Sequence, residues 1–302
     1  MSTAYGDARP LPDLGKVGIW SRELRYQPDK GAIADAAAEL EALGYGALFI
    51  PDVGGEVFES VERLLGATGS IAVVTGILNI WKHAPGEVCA GRARIERRWA
   101  GRFLLGLGAS HAAVVDAVKP GTYQRPYEHL RTYLDALDGA EDAVPAGRRI
   151  LAALGPRMLA LARSRARGAH PYLVTADQTA AARALLGPDR LLAPQLAVAL
   201  DRVPAQARER ARTMLAAYLR LPNYVASFRR AGFGDADLDP ITGPSAHMVD
   251  ALVACGDEAD VARRVRKHLA AGADHVCISV VGGIDDALPV DAWRRLAPAL
   301  LE

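Results

Sequence analysis

The sequence has little of what marks several common classes of protein. Its 302 residues include three cysteines, Cys89, Cys255 and Cys277, and no two of them form a CxxC pair. An odd number of widely spaced cysteines argues against a disulfide framework and a zinc site, and it predicts a reducing, cytoplasmic environment. The formal net charge is only +1, so no overall field favours binding to nucleic acid or to a membrane surface.

Long hydrophobic runs are also lacking. A membrane-spanning helix needs about 20 consecutive apolar residues, whereas the longest run here, residues 70–80, is interrupted by Thr75, Gly76 and Asn79. Residues 1–13 are polar and interrupted by proline, which predicts a flexible tail and not a signal peptide. We therefore expect a soluble, cytoplasmic protein.

What the sequence does contain is a regular alternation of short apolar runs and amphipathic helical segments, which is typical of βα units around a parallel sheet. Eight runs are predicted as strands, at residues 16–20, 47–50, 71–80, 102–106, 150–154, 171–174, 191–200 and 275–281. A polar loop is predicted at 108–126, and two helices at 205–219 and 223–231 form an insertion. Eight successive units favour an α/β fold closed into a (β/α)8 TIM barrel over a doubly wound sheet. No linker or repeat divides residues 1–302, so we predict one domain.

The active site of such a barrel forms at the carboxyl ends of its strands. The segment GLGASH at residues 106–111 resembles the GxGxxG pattern, but it lacks the third glycine and follows the fourth strand, which argues against a Rossmann fingerprint. Gly76 interrupts a strongly apolar strand. It predicts either a bulge where a ligand approaches the backbone or a tight contact with a neighbouring helix.

Histidines lie at or just after several predicted strand ends. His83, His111 and His170 are placed in this way, and each is either a catalyst or an ordinary packed histidine. The seven histidines show no HExxH or other metal-binding spacing, so no metal site is predicted. A GxSxG elbow for serine chemistry is also absent.

Five stretches of sequence, taken in order, resemble the luciferase-like monooxygenases. They are similar above all to the actinobacterial branch of deazaflavin (coenzyme F-420)-dependent oxidoreductases, and the resemblance extends over residues 15–283. The stretches are GALFIPD at 46–52, VVTGILNIWKHAP at 73–85, RFLLGLGASH at 102–111, LAALGPRMLALARSRARGAHPYLVT at 151–175, and DALVACGDEADVARRVRKHLAAGADHVCISVVG at 250–282. The resemblance implies a luciferase-like barrel that binds F-420 or, alternatively, FMN.

The resemblance also implies where the coenzyme ring binds. In related deazaflavin enzymes a bulge with a non-proline cis peptide lies behind the ring, and the matching pair here is Gly76-Ile77. The residues implied around the ring are Asp52, Val53, Thr75, Gly76, Ile77, Asn79, Gly106, Gly108 and His111. His111 is the first candidate for the proton donor or acceptor, and Asp52 is the second.

The phosphate end of the coenzyme is implied after strands five and six, where backbone N–H groups at a helix N-terminus suit an anion. The residues implied there are Gly155, Arg157, Met158, Ala169, His170, Pro171 and Tyr172, with Arg157 neutralising charge. Tyr123 and Arg125 are predicted to lie in a lid over the substrate.

Three hypotheses about function stay open. The first is hydride transfer between F-420 and a small organic substrate, and the second is an FMN-dependent monooxygenase. The third is a barrel that binds a ligand or partner without catalysis. Sugar-phosphate-oxidising relatives have a histidine near Val53 and a glutamate near His111, and this chain lacks both, which argues against that substrate. A homodimer through the helices beside strands two and three is also implied.

Overall fold

All strand pairs in the described chain are parallel. A computed structural model describes residues 11–53, 55–282 and 287–301. Its strands are β1 (Val17–Trp20), β2 (Ala47–Ile50), β3 (Ala72–Thr75), β4 (Leu78–Asn79), β5 (Phe103–Gly108), β6 (Arg149–Leu151), β7 (Gly168–Ala169), β8 (Leu191–Leu192), β9 (Gln195–Leu200), β10 (Val253–Gly256) and β11 (Val276–Val280). They lie side by side in the order β10-β9-β11-β1-β2-β3-β5-β6-β7-β8, and β4 pairs with β5.

One stretch of chain, residues 191–200, closes the sheet on itself and leaves β10 as an extra strand beside β9. Its first part, β8, pairs with β7, and its second part, β9, pairs with β11. Pro194 separates the two parts because it has no N–H to donate to a neighbouring strand. The sheet therefore curls into a barrel, and the predicted (β/α)8 fold is confirmed.

Helices follow most of the strands and cover the outside of the barrel. They are α1 (Glu23–Tyr26), α2 (Lys30–Ala42), α3 (Val57–Ala67), α4 (Pro85–Arg98), α5 (Ala112–Val118), α6 (Pro126–Asp138), α7 (Pro156–Arg165), α8 (Ala176–Leu186), α9 (Pro204–Tyr218), α10 (Pro222–Arg230), α11 (Ala246–Leu252), α12 (Glu258–Ala270) and α13 (Val290–Leu300), with a 3-10 turn at Ala146–Arg148. Local chemistry sets several of their ends. The hydroxyl of Thr175, for example, accepts the N–H of Gln178 to start α8, which ends at Gly187 with a positive φ of 81°.

Three clusters of buried apolar side chains hold the described layers together, and the most extensive of them joins the strands to the surrounding helices. Inside the barrel, Phe49, Val74 and Leu104 belong to one small cluster of buried side chains. The insertion helices α9, α10 and α11 share a separate buried cluster with β9 and β10, to which Leu215 and Phe228 contribute. Burial of this kind is the main source of stability for each layer. The insertion is therefore packed firmly against one edge of the barrel mouth.

The structure corrects several sequence-based boundaries. The predicted strand at 171–174 is wrong: β7 ends at Ala169, Pro171 lacks an N–H, and Leu173 turns the chain with a φ of 51°. Only one isolated bridge, between Tyr172 and Gln195, continues the pairing there. The predicted strand at 71–80 is interrupted between β3 and β4, and α5 lies inside the predicted loop at 108–126.

Other elements were not predicted, and the main ones are α11 and β10, which adjoin each other in the largely apolar segment MVDALVACG. None of the helices in the described ranges combines the length and apolar character that crossing a bilayer requires. Most of the predicted tail at 1–13 lies outside the described residues.

Candidate functional site

A cavity of about 490 Å³ opens at the carboxyl ends of the strands. The segments that follow β2, β3, β5, β6 and β7 line it on one side, and α9 and α10 line it on the other. Eleven of the residues predicted for the site lie on its surface: Asp52, Val53, Gly76, Ile77, Asn79, His111, Tyr123, Gly155, Met158, His170 and Tyr172. Seven others lie outside the lining: Thr75, Gly106, Gly108, Arg125, Arg157, Ala169 and Pro171.

The peptide between Gly76 and Ile77 is cis, at the pair that the sequence indicated. The carbonyl groups of both residues are held by hydrogen bonds. The indole N–H of Trp20 donates to the oxygen of Gly76 at 2.7 Å, and the N–H of Asp52 donates to the oxygen of Ile77 at 3.2 Å. A Cβ on Gly76 would lie 3.1 Å from the Trp20 ring, so a glycine fits this bulge best. The bulge therefore presents a fixed stretch of backbone to the cavity.

Thr75, Gly106 and Gly108 support the bulge from behind. The hydroxyl of Thr75 donates to the carbonyl of Gly106 and accepts its N–H, both at 2.8 Å. A Cβ on Gly106 would lie 1.9 Å from the Thr75 carbonyl oxygen, and one on Gly108 would lie 2.7 Å from the Ile77 side chain. These residues allow the close approach of the strands, and they do not face a ligand.

Asp52 lies at the centre of a charged cluster. Lys82 Nζ is 2.9 Å from Oδ1, His83 Nε2 is 2.7 Å from Oδ2, and Arg25 is 3.6 Å away. Burial opposes ionisation of this carboxyl, but hydrogen bonds from His83 and Lys82 outweigh it and hold its pKa below the usual value. Asp52 is thus an ionised group with both oxygens engaged, and it is a poorer proton donor than its position in the sequence suggested.

His111 lies at the outer part of the cavity. Its Nδ1 is 3.3 Å from Oδ1 of Asn223 on α10, and its ring packs 5.4 Å from the ring of Tyr224. Burial lowers the pKa of His111 more than the hydrogen bond to Asn223 raises it. The imidazole is therefore neutral at neutral pH.

His170 is a second neutral imidazole on the cavity surface. Its Nδ1–H donates to the carbonyl of Ala193 at 2.6 Å, and burial lowers its pKa to about 4. Its Nε2 is buried and makes no hydrogen bond within the described residues. With almost no accessible surface at that atom, Nε2 does not face the open cavity, and His170 contributes a buried, neutral ring to the wall.

The wall formed by α9 and α10 was missed by sequence reasoning, which treated both helices as an insertion without a role. Tyr218 and Tyr224 lie there, and the hydroxyl of Tyr218 is 3.2 Å from that of Tyr172. Asn223 and Arg230 also line the cavity and lie two helical turns apart on α10. That spacing of polar residues on one helix face was the signal available in the sequence.

Arg157 does not take the place that the resemblance implied for it, and Arg230 lies there instead. The side chain of Arg157 is 74% exposed, stacks over Tyr127 at 4.2 Å and pairs with Glu128 at 3.7 Å, so it points away from the cavity. Arg230 instead donates to the carbonyl of Leu154 at 3.1 Å, and a Cβ on Gly155 would lie 3.3 Å from its guanidinium. The cation beside the start of α7 therefore comes from α10.

The remaining predicted residues have backbone or peripheral positions. The carbonyls of Ala169 and Pro171 accept N–H groups from residues 193 and 195, which ties β7 to the next strand. Tyr123 lines the cavity and donates its hydroxyl to the carbonyl of Ser110 at 3.3 Å, whereas Arg125 is exposed and lies outside the lining. No group of three or more metal-ligating side chains occurs in the ranges that the structure describes.

The family of luciferase-like monooxygenases matches residues 17–275, which is most of the chain. The chain belongs to the luciferase-like monooxygenase family. The prediction of an enzyme of this oxidoreductase family is thereby confirmed. A search among curated proteins found no match.

Solved structures of the same fold include enzymes with two kinds of coenzyme. The chain is similar to an F-420-dependent tetrahydromethanopterin reductase from Methanopyrus kandleri, at 16% identity, a TM-score of 0.73, and coverage of 96% of this chain and 99% of that one. It is also similar to an F-420-dependent secondary alcohol dehydrogenase, at 13% identity, a TM-score of 0.72, and coverage of 96% and 100%. A third is the oxygenating constituent of 3,6-diketocamphane monooxygenase from Pseudomonas putida, in complex with FMN, at 12% identity, a TM-score of 0.65, and coverage of 96% and 98%. At these identities the likeness shows the fold.

Proposed function

We propose that this luciferase-like protein is an oxidoreductase that transfers a hydride between the deazaflavin coenzyme F-420 and a small organic substrate. The observation that carries the proposal is a single cavity with two unlike parts. One part is formed by the fixed backbone of Gly76-Ile77 and by uncharged aromatic side chains. The other part contains Gly155 at the start of α7 and the guanidinium of Arg230.

The first part suits a planar ring system. Gly76 adds no side chain to the bulge, and burial raises the pKa of both Tyr172 and Tyr224, so their hydroxyls stay protonated. The neutral ring of His170 adds a buried aromatic surface to this part. Apolar pockets with a few placed polar groups are the usual form of a cofactor site.

The second part suits an anion. No side chain caps α7, so the N–H groups of Arg157 and Met158 in its first turn are left for a ligand. These groups, the helix dipole and the Arg230 guanidinium together favour a phosphate. A coenzyme with a ring at one end and a phosphate at the other matches both parts.

When bound, the deazaflavin supplies a two-electron hydride donor or acceptor. The chain supplies orientation and a proton partner. His111 is neutral and lines the cavity, so it can accept a proton, whereas Asp52 is held ionised by Lys82 and His83. His111 is therefore the preferred candidate for the proton step.

The preference for F-420 over FMN rests on the resemblance of the sequence to the deazaflavin branch, because enzymes of both kinds share this fold. With FMN the same cavity would serve a monooxygenase. The homodimer implied by the sequence stays a prediction that sedimentation can check.

The test is a fluorescence titration of the purified protein with F-420 and, in parallel, with FMN. Tight binding of F-420 alone supports the proposal and directs the search to oxidisable and reducible substrates. Preference for FMN would replace it with a monooxygenase. Binding of neither coenzyme would overturn both in favour of a barrel without catalysis.

A further inference from the structure

His111 stands at the start of α5, but its side chain does not cap that helix. His111 is the N-cap residue of α5, a position whose side chain commonly bonds to the first turn, yet it makes no such bond. The preceding residue, Ser110, has a positive φ of 55°, which is uncommon for a residue other than glycine. Together these two features turn His111 away from α5 and toward α10.

The ring is held there by two neighbours from α10. Oδ1 of Asn223 lies 3.3 Å from Nδ1, and the ring of Tyr224 packs at 5.4 Å, so both the edge and a face of the imidazole are constrained. An amide oxygen only accepts hydrogen bonds, so the imidazole nitrogen that faces it must carry the proton. Within the described residues, Nε2 of His111 has no hydrogen-bond partner.

We propose that Asn223 is a positioning residue that holds neutral His111 as its Nδ1–H tautomer and leaves the lone pair of Nε2 for a proton from the substrate. This rests on the proposed function, in which oxidation of the substrate sends a hydride to the deazaflavin and releases a proton that Nε2 would accept. The tautomer of a histidine is set by the hydrogen bond that its other nitrogen makes. Asn223 thus decides which nitrogen of His111 does the chemistry.

The tautomer can be measured without coenzyme or turnover. Uniformly ¹⁵N-labelled protein is studied by long-range ¹H–¹⁵N correlation at alkaline pH, where neutral rings dominate. The His111 signals are assigned by their loss in His111→Gln. We expect Nδ1 of His111 to show the shift of a protonated nitrogen and Nε2 that of an unprotonated one.

Two variants of Asn223 form a matched pair. Asn223→Asp keeps an oxygen acceptor and should keep the Nδ1–H tautomer, whereas Asn223→Leu removes the acceptor and should shift the ring toward Nε2–H. An Nε2–H tautomer in the wild-type protein, or the same tautomer in Asn223→Leu as in wild type, would overturn the inference.

Coenzyme titration of the same variants separates this inference from the proposed function. If no variant and no wild-type protein binds F-420, the proposed function fails whatever the tautomer is. If F-420 binds equally to wild type and Asn223→Leu, turnover with a substrate should fall roughly 10-fold or more in Asn223→Leu, with recovery in Asn223→Asp. Equal turnover in all three proteins would overturn the positioning role alone.

Discussion

The two walls of the cavity are built in different ways. The inner wall, formed by Asp52, the Gly76-Ile77 bulge and His170, consists of backbone and buried side chains at the ends of strands. The outer wall, formed by Tyr218, Asn223, Tyr224 and Arg230, consists of side chains on α9 and α10, and two of them, Asn223 and Arg230, are exposed. The inner wall is thus part of what holds the barrel together. The comparison predicts that changes there alter stability, whereas changes in the outer wall alter ligand binding.

The largest effect is expected for Asp52→Asn. The substitution removes the negative charge that faces Lys82 and Arg25, and loss of one member of a buried charged cluster costs about 4 kcal/mol of unfolding free energy. Urea unfolding at neutral pH measures this difference in unfolding free energy between Asp52→Asn and wild type. Asp35→Asn, on the exposed face of α2, is the control and should change stability by less than about 0.5 kcal/mol.

The same carboxylate predicts a pH dependence. Folding lowers the pKa of Asp52, so its contribution is complete above the pKa of the unfolded chain and is lost as the pH falls toward the folded value. The stability difference between wild type and Asp52→Asn should therefore shrink below about pH 4, near the ordinary carboxyl pKa. A constant difference at all pH values would mean that the cluster does not depend on this charge.

Gly106→Ala should have the next largest effect. Its Cβ would lie 1.9 Å from the Thr75 carbonyl oxygen, so the strands behind the bulge must separate, at a cost of about 3 kcal/mol. Gly86→Ala is the matched control, because Gly86 lies in α4 with no atom within 4 Å of the added methyl group, and it should stabilise the protein by about 0.5 kcal/mol. Equal unfolding free energies for the two variants would refute the close packing behind the bulge.

Arg230→Ala tests the outer wall. We expect the dissociation constant for F-420 to rise about 10-fold, because a charge-assisted contact to the phosphate is lost, while the unfolding free energy changes by less than about 0.5 kcal/mol. Arg157→Ala serves as the control, since its side chain points to Tyr127 and Glu128, and should leave binding unchanged. Weaker F-420 binding by Arg157→Ala together with unchanged binding by Arg230→Ala would show that Arg157 is the residue that neutralises the phosphate.

The smallest effect is expected for Tyr218→Phe. This removes one hydroxyl from the pair with Tyr172, and an ordinary hydrogen bond contributes about 1 kcal/mol or less. Thermal and urea unfolding should differ little from wild type. A loss of unfolding free energy as large as that in Gly106→Ala would show that the outer wall also supports the fold. The two walls would then not differ in this respect.

The inner wall could be predicted from the sequence because its signals are local. The apolar run that precedes Asp52 and the glycine that interrupts the run at Gly76 each show where a strand ends. Neither signal depends on contacts with distant parts of the chain. The strand prediction failed at Pro171. The apolar residues around it resemble a strand, but proline has no N–H to donate to a neighbouring strand. The outer wall depends on contacts between distant residues. Asn223 reaches His111 from 112 positions away, and only the packing of α9–α11 on β9 and β10 brings them together.

The pairing of β1 with β11 has a consequence for synthesis and folding. Val17 pairs with Val276, so β1, which gains β2 as a neighbour early, finds its second neighbour only after nearly the whole chain has been translated. Contacts of such long sequence separation carry a large loop-closure cost and form slowly. Until then the edge of β1 is exposed to other chains. We therefore expect aggregation during expression to depend on how fast the C-terminal segment is delivered, and chaperones that shield the half-formed sheet should raise the yield of folded protein.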